Sequence, residues 1–588
     1  MTADRSAYGD TGAANLAFAR ALVDEMRAHG LEAAWLCPGS RSTPLALAIA
    51  DCESLPRHVM IDERAAAFHA LGHARATGRP VLLVCTSGTA GANFLPAVAE
   101  ASQSRVPLVV ATADRPPELR AWGAPQTMEQ RQLYAGFTRY AEEAPCPSER
   151  PGELRYARAL ARRAIIAATG DAPGPVHLNL PFREPLLPAT IGPVEPAEPV
   201  VAAAPAEPVA VPATMPAAMP FPHPGDVERG VLVFGPDVFD PALAAAAGAA
   251  ARVLGWPVIA DPGSGLRAGG ALDDVLVHGA DLLLRLPEVA DELRPARIIR
   301  CGGPPTSAAV AGWMARHDSA EVWLVDPADG FRDPQHRATR SLRMSAAQFC
   351  RCAATGGGAG AGAWLVSWQR ASQVASEAAS NCLDAEQRLL APQVARTLWT
   401  VLPAGVQLYA ANSMPVRDLD AFAGPRSAPL RVLVNRGVNG IDGLVSSALG
   451  AAEAGAPTVL WCGDLALLHD VGGLLAGRHR DADLTVVVTN DDGGGIFENL
   501  AVAGLIPRER FEELFAVPHG MDLAAMARGL GWDAARVDDA AALGDALRSA
   551  LAGGLHLIEV RIDRAANTGF HREVHAAVAA ALRQRGTR

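Results

Sequence analysis

The chain contains no lysine: all 52 of its basic Lys/Arg residues are arginine. That excludes Schiff-base catalysis, pyridoxal phosphate chemistry and the phosphate-gripping lysine of a P-loop, each of which needs a side-chain amine. Anion recognition falls to arginine, whose planar fork suits carboxylates. No basic block offsets the net charge of −11, so nucleic acid is not an expected partner. No apolar run reaches membrane-spanning length, and Met1–Gly12 is polar rather than signal-like, so membrane insertion is not expected and a cytoplasmic location is. Nine cysteines lie scattered without a ladder of spacings, and Cys350-Arg351-Cys352 is too tight for common zinc patterns, which points to reduced thiols. No G-x-G-x-x-G follows the first strand of any domain, which weakens a dinucleotide-binding reading.

What is present is an ordinary globular composition, 49% hydrophobic and 20% charged, over 588 residues, enough for several domains. Alternating strand and helix patterns predict three doubly wound parallel α/β domains. The expected division is 1–190, a Pro/Ala-rich linker at 191–228, a central domain at 229–352, a Gly/Ala-rich connection and helix at 353–390, and a last domain at 391–588. Strands are expected at Ala33–Cys37, Val59–Ile61, Val81–Thr86 and Leu108–Thr112 in the first domain. In the second they are expected near Val258–Ala260, Leu282–Leu286, Arg297–Arg300 and Glu321–Val325.

The most informative stretch runs from Trp461 to Leu500. A buried strand over Thr458–Cys462 ends on Gly463-Asp464, a helix is expected over Leu465–Gly477, and a second strand over Leu484–Thr489 ends on Asn490-Asp491-Asp492-Gly493-Gly494-Gly495. A helical crossover makes the two strands parallel neighbours, with both acidic tips at the edge where open α/β sheets bind ligands. Asp464, Asp491 and a carbonyl at Gly493 are hard oxygen donors suited to Mg²⁺, and the glycines let main chain approach a diphosphate. Either loop alone is more simply an acidic turn. The intact order, with the two aspartates 27 positions apart (491 − 464), carries more.

This order resembles the metal–diphosphate motif of thiamine-diphosphate enzymes, with Leu465 in place of the usual second glycine and Asp491 in place of the usual second asparagine. Glu63, at a strand–helix junction, resembles the glutamate those enzymes place against the aminopyrimidine ring; by itself it reads as a helix-dipole partner. The segments CPGSRSTPLALA, DERAAAFHALG, CTSGTAGAN, TADRPPELRAWGAPQT, NSMPVRD, NRGVNGIDG, GDLALLHD and NDDGGGIFENL follow the order of one family within that group. It is the family of carboligases that make 2-succinyl-5-enolpyruvyl-6-hydroxy-3-cyclohexene-1-carboxylate for menaquinone.

The resemblance implies an enzyme dependent on thiamine diphosphate and Mg²⁺ or Mn²⁺. It would decarboxylate 2-oxoglutarate and add the succinyl-semialdehyde unit to isochorismate, as a homodimer or dimer of dimers. Glu63 would be the catalytic acid/base. Metal ligands would be Asp464, Asp491 and Gly493, and Gly463, Asp464, Leu465, Gly493, Gly494 and Ile496 would hold the cofactor with Glu63. Substrate contacts would come from Ser40, Arg41, Arg115, Gln126, Ser413, Arg417, Arg436, Ile496, Phe497 and Leu500. An isolated arginine is more often a surface or helix-end charge, and Ile496, Phe497 and Leu500 suit core packing as well as an apolar wall. The family's basic pair after a Thr-Ser is missing at Pro305-Thr306-Ser307-Ala308-Ala309, so Arg300 or another arginine must substitute, or that recognition is absent. The rival readings are an acetolactate-synthase-like ligase or 2-oxoacid decarboxylase, which share Glu63, Asp464 and Asp491 without needing the arginines, and a non-catalytic binding protein.

Overall fold

The computed structural model describes residues 10–191, 223–237, 239–328, 330–355, 362–478 and 480–585. Most of the expected linker at 191–228, and the centre of the Gly/Ala-rich connection after 353, lie outside the described residues. Three all-parallel sheets account for the strands. The first holds β1 (Ala34–Leu36), β2 (Arg57–Val59), β3 (Val81–Cys85), β4 (Leu108–Asp114), β5 (Tyr140–Glu143) and β6 (Val176–Pro181), in the order β2-β1-β3-β4-β6-β5. The second holds β7 (Gly230–Phe234), β8 (Val258–Ala260), β9 (Arg297–Cys301), β10 (Glu321–Asp326) and β11 (Arg340–Arg343), in the order β11-β10-β9-β7-β8. The third holds β12 (Gln407–Ala410), β13 (Arg431–Leu433), β14 (Thr458–Gly463), β15 (Leu484–Asn490), β16 (Asp533–Val537) and β17 (Leu555–Arg561), in the order β13-β12-β14-β15-β17-β16. The first and third sheets therefore share one winding, with its reversal beside the first strand of each, the place where such sheets open a ligand crevice.

Central strands are buried over their whole length, as β3, β4 and β15 show, because helices cover both faces of a parallel sheet. The strands that hydrophobic runs did not reveal are mostly outer ones. β5, β11 and β16 lie at sheet edges and are half-buried or exposed over most of their length, so no apolar pattern marks them. β6 is internal, but His177 and Asn179 interrupt its apolar run; both are buried and bonded to Thr112 Oγ1, at 2.8 and 3.0 Å.

Three expectations are corrected. The run at Leu282–Leu286 is not a strand: Ala280–Leu284 is a short helix started by Gly279 in the left-handed region, and its uniform burial hides the periodicity that separates helix from strand. The edge strand β2 sits two residues earlier than Val59–Ile61, because Leu36 pairs with Val59 and leaves Ile61 outside, 83% exposed. The helix expected over Leu465–Gly477 is two helices, Asp464–His469 and Val471–Gly477, divided where Asp470 leaves helical geometry (φ −124°, ψ 42°) ahead of a helix-weakening Gly-Gly pair.

The chain forms two compact units. One gathers the first sheet together with residues 435–454; the other contains the second and third sheets. In the first unit the Leu444–Glu453 helix lies directly on the Glu63–Thr77 helix. Glycines permit this: a Cβ on Gly72 would stand 1.8 Å from the Ser447 carbonyl oxygen, and one on Gly450 1.9 Å from that of His69.

Candidate active site

In the second unit, β14 and β15 pair in register, with Gly463 opposite Thr489, so their C-terminal loops emerge side by side. Asp464 begins the Asp464–His469 helix and is 2% exposed. Its Oδ1 accepts from the Leu465 N–H at 2.6 Å, and its Oδ2 from the Gly493 N–H at 2.8 Å, with His519 Nε2 at 3.1 Å. The second loop is thus tied to the first acid by main chain. Asp491 stands close enough to feel Asp464: burial first, then the Asp464 carboxylate, push its carboxyl up to about 7. A buried carboxylate beside a half-buried one, with Arg564 only partly offsetting the shift, is an arrangement that favours a cation.

The loop is built to leave its oxygens in place. Gly493 lies at φ +134°, and a Cβ there would meet the Ala516 carbonyl oxygen at 2.1 Å, so only glycine fits. Gly494 N–H donates to that same carbonyl at 2.7 Å. Arg564 Nε and Nη2 donate to the Asp491 carbonyl at 3.2 and 3.1 Å, and its Nη1 pairs with Glu512 at 2.9 Å. Asn490 holds the strand end, donating to Glu559 Oε1 at 2.8 Å, while its Oδ1 accepts from Asp492 N–H at 3.1 Å. Asp492 Oδ1 accepts from the Gly520 and His519 N–H groups, which hold its carboxyl below the usual range. Asp491 is therefore the acid of the loop left for a ligand. Two carboxylates and a carbonyl, with the remaining positions open to cofactor oxygens, fit a hard divalent cation carrying a diphosphate. Among the described residues no cluster of three or more His, Cys, Asp or Glu could hold a metal, so a cation at these two carboxylates would also need main-chain and ligand oxygens.

Gly463 has open space around its Cα, and Leu465 is half-buried on the first helical turn beyond it. Ile496 and Phe497 sit half-buried on a 3₁₀ turn over Gly495–Asn499, and Leu500 is 51% exposed. Phe497 packs edge-on to Phe515, ring centroids 5.8 Å apart. None of the three belongs to the hydrophobic core among the described residues. Ser413 takes positive φ (71°) at the head of the Met414–Phe422 helix, and exposed Arg417 turns back to donate to the Ser413 carbonyl.

The first unit carries the remaining candidates. Glu63 is the first residue of its helix and half-buried, capped from outside by Asp62, whose Oδ1 accepts from the Arg64 N–H at 2.9 Å. Glu63 follows the C-terminal end of β2, which pairs parallel with β1, and burial, then Glu63, push up the Cys37 thiol at the end of β1. Ser40 is exposed on the loop after β1. Its neighbour Arg41 is 5% exposed; Nη1 donates to the Phe182 carbonyl at 2.9 Å and Nη2 to Glu184 at 2.8 Å, while its buried Nε has no partner among the described residues. Arg115 donates to Ser87 Oγ at 2.5 Å, and burial followed by Arg41 lowers its pKa. Two guanidiniums thus crowd one strand-end mouth, an arrangement that favours an anion between them. Gln126 is exposed at φ +52° against Gly88. Arg436 is half-buried in the loop that precedes the Leu444–Glu453 helix. In the central domain Arg300 is 1% exposed with Nη2 on the Arg332 carbonyl, and Ser307 caps the Ala308–Arg316 helix, so neither stands at a surface in place of the missing basic pair.

Sequence reasoning missed His519, Arg564, Gln130 and Glu100. Gln130, 1% exposed, receives the Gly88 N–H at 3.0 Å and donates to Ala113 and Asn179, which fixes the Ser87–Gly91 turn. None of the four lies in a motif, and each acts on a partner distant in the chain.

Three family models match in series. They are the N-terminal TPP binding domain of thiamine pyrophosphate enzymes over residues 16–133, the middle domain over 226–410 and the C-terminal TPP binding domain over 422–560. Fold and site together define a thiamine-diphosphate enzyme. The chain is 42% identical to 2-succinyl-5-enolpyruvyl-6-hydroxy-3-cyclohexene-1-carboxylate synthase of Myxococcus xanthus over 581 residues, 97% of this chain and 98% of that one. It is 44% identical to the synthase of that name from Thermobifida fusca over 573 residues, 96% of this chain and 99% of that one. It belongs to this synthase family, the thiamine-diphosphate-dependent carboligases of menaquinone biosynthesis. Among solved structures, the thiamine diphosphate-dependent 4-hydroxybenzoylformate decarboxylase of Rhodococcus jostii RHA1 superposes with a TM-score of 0.69 at 17% identity, covering 93% of this chain and 99% of that one. That likeness shows the fold. No helix among the described residues is long and apolar enough to cross a membrane.

Proposed function

We propose that the chain decarboxylates 2-oxoglutarate and joins the remaining succinyl-semialdehyde unit to isochorismate, releasing CO2. The observation that carries the reading is the pair of guanidiniums, Arg41 and Arg115, at one strand-end mouth, which the rival ligases do not need. The Asp464–Asp491 pair at the ends of two adjacent parallel strands supports the cofactor that all of them share. Asp464, Asp491 and the Gly493 carbonyl would hold Mg²⁺ or Mn²⁺, with Gly463, Leu465, Gly494 and Ile496 lining the cofactor. When bound, thiamine diphosphate supplies the electron sink for loss of CO2. Glu63 would share a proton with the aminopyrimidine ring, from the 1–190 domain of one protomer toward the 391–588 domain of its partner. Arg41, Arg115, Arg417 and Arg436, with Ser40, Gln126 and Ser413, would orient the carboxylates of the two anionic substrates, and Ile496, Phe497 and Leu500 would shield the new bond from water.

The test is incubation with thiamine diphosphate, Mg²⁺, 2-oxoglutarate and isochorismate, with products identified by mass. One adduct and one CO2 per turnover are expected, with pyruvate a poor donor because it lacks the distal carboxylate. Faster turnover of pyruvate than of 2-oxoglutarate, with arginine variants behaving as wild type, would favour the acetolactate-type reading.

A further inference from the structure

Arg436 sits in a loop that apolar burial does not hold. Its neighbour Val438 is 48% exposed, Asn439 is exposed at φ +62°, and the loop belongs to neither a strand nor a helix. Asn435 anchors its start, donating to Ser447 Oγ at 3.1 Å, and the residues after Arg436 are seated by Glu100, on the Leu95–Ser104 helix of the same unit, 2% exposed. Glu100 Oε1 accepts from the Gly437 N–H at 2.9 Å and Oε2 from the Val438 N–H at 2.7 Å, across 337 and 338 positions of chain. Oε1 also receives Ser104 Oγ and, at 3.2 Å, Arg75 Nη2. The buried charge thus meets the Arg75 guanidinium and main-chain amides. The fit is close: a Cβ on Gly437 would stand 2.7 Å from both the Glu100 carbonyl oxygen and Ser104 Oγ, so the loop lies flat on the helix at the residue after Arg436.

We propose that Glu100 is a positioning residue for substrate binding: by clamping the two amides that follow Arg436, it sets where that guanidinium meets a substrate carboxylate. This rests on the reading of Arg436 as a substrate contact. A carboxylate suits the task because it accepts from two consecutive N–H groups at once. An amide in its place offers one oxygen and turns an NH₂ toward a donor.

The test is a double-mutant cycle on the full-length protein loaded with thiamine diphosphate and Mg²⁺, using Glu100→Gln, Arg436→Ala and their combination. KM and kcat are measured for 2-oxoglutarate and isochorismate, along with the cofactor concentration giving half-maximal rate. Glu100→Gln is expected to raise KM about tenfold for whichever substrate Arg436→Ala affects, with cofactor dependence within about twofold, as loss of a charge-assisted contact would do. In the Arg436→Ala background it should add nothing. An equal further loss in that background, or both KM values at wild type in Glu100→Gln, overturns the proposal while leaving the site reading intact. If Arg436→Ala itself changes neither KM, the reading of Arg436 falls and the proposal with it. Should Glu100→Gln fail to accumulate as folded protein, Glu100→Asp keeps the charge but withdraws the carboxylate by one methylene, and the same outcomes apply.

Discussion

Glu63 begins its helix half-buried and near the Cys37 thiol, a carboxylate held at a strand mouth with no ion pair to spend it on among the described contacts. Glu63→Gln is expected to keep the fold and cofactor affinity and to lose about 10²–10⁴-fold in turnover, the usual cost of removing a general acid/base. Turnover near wild type would remove Glu63 from the mechanism. A second residue shows what burial does without function. His73 lies in the Glu63–Thr77 helix among Trp35, His58 and the Glu32 and Glu453 carboxylates, and burial, then His58, pull its pKa down to about 4. A histidine neutral when folded but titrating near 6.5 when unfolded leaves stability whole above pH 6.5 and removes it as pH falls toward 4. His73→Leu lacks that proton. The thermal midpoint of wild type relative to this variant should be constant above pH 6.5 and decline below it; a constant difference down to pH 4 would contradict the assignment.

Between elements, the junction of the Glu63–Thr77 and Leu444–Glu453 helices is a close backbone approach set by absent side chains. Gly450→Ala puts a methyl 1.9 Å from a carbonyl oxygen, so the helices must part, at about 1–3 kcal/mol of stability. Gly312, inside the Ala308–Arg316 helix, has nothing within 4 Å of an added Cβ, and Gly312→Ala is expected to stabilise by about 0.4–1 kcal/mol. Thermal midpoints that move in opposite directions for these two changes check the packing; equal shifts would deny it. The Leu444–Glu453 helix follows the Arg436 loop directly, so Gly450→Ala also tests whether displacing that helix raises substrate KM.

At the scale of the molecule, the shared winding of the first and third sheets places Glu63 at one strand-end mouth and Asp464 with Asp491 at another, in different compact units. If Glu63 of one protomer completes the metal site of its partner, the smallest active species is a two-fold homodimer. Inactive Glu63→Gln and Asp464→Ala chains, mixed and allowed to exchange, should then recover activity through one intact site per heterodimer. Proven exchange without recovery would show that each chain is complete by itself.

The sequence alone determined the three βαβ runs, the adjacency of β14 and β15 and the acidic tips they carry. Those follow from local pattern: central strands buried on both faces must be apolar, and a short helical crossover leaves parallel neighbours only one arrangement. Outer strands β5, β11 and β16 carried no such signal, because an edge strand is placed by its neighbour's free backbone groups rather than by burial of its own side chains. The short Leu282–Leu286 run misled for the related reason that full burial erases the difference between periods of 2 and 3.6. The residues that hold the site's loops were decided only by tertiary structure. His519 reaches Asp464 across 55 positions, Arg564 reaches Asp491 across 73, and Glu100 reaches Gly437 across 337. A motif records residues that meet a ligand at one strand end. A clamp is recorded only in the folding that brings a distant side chain to an unpaired amide or carbonyl, and no spacing in the chain encodes that meeting.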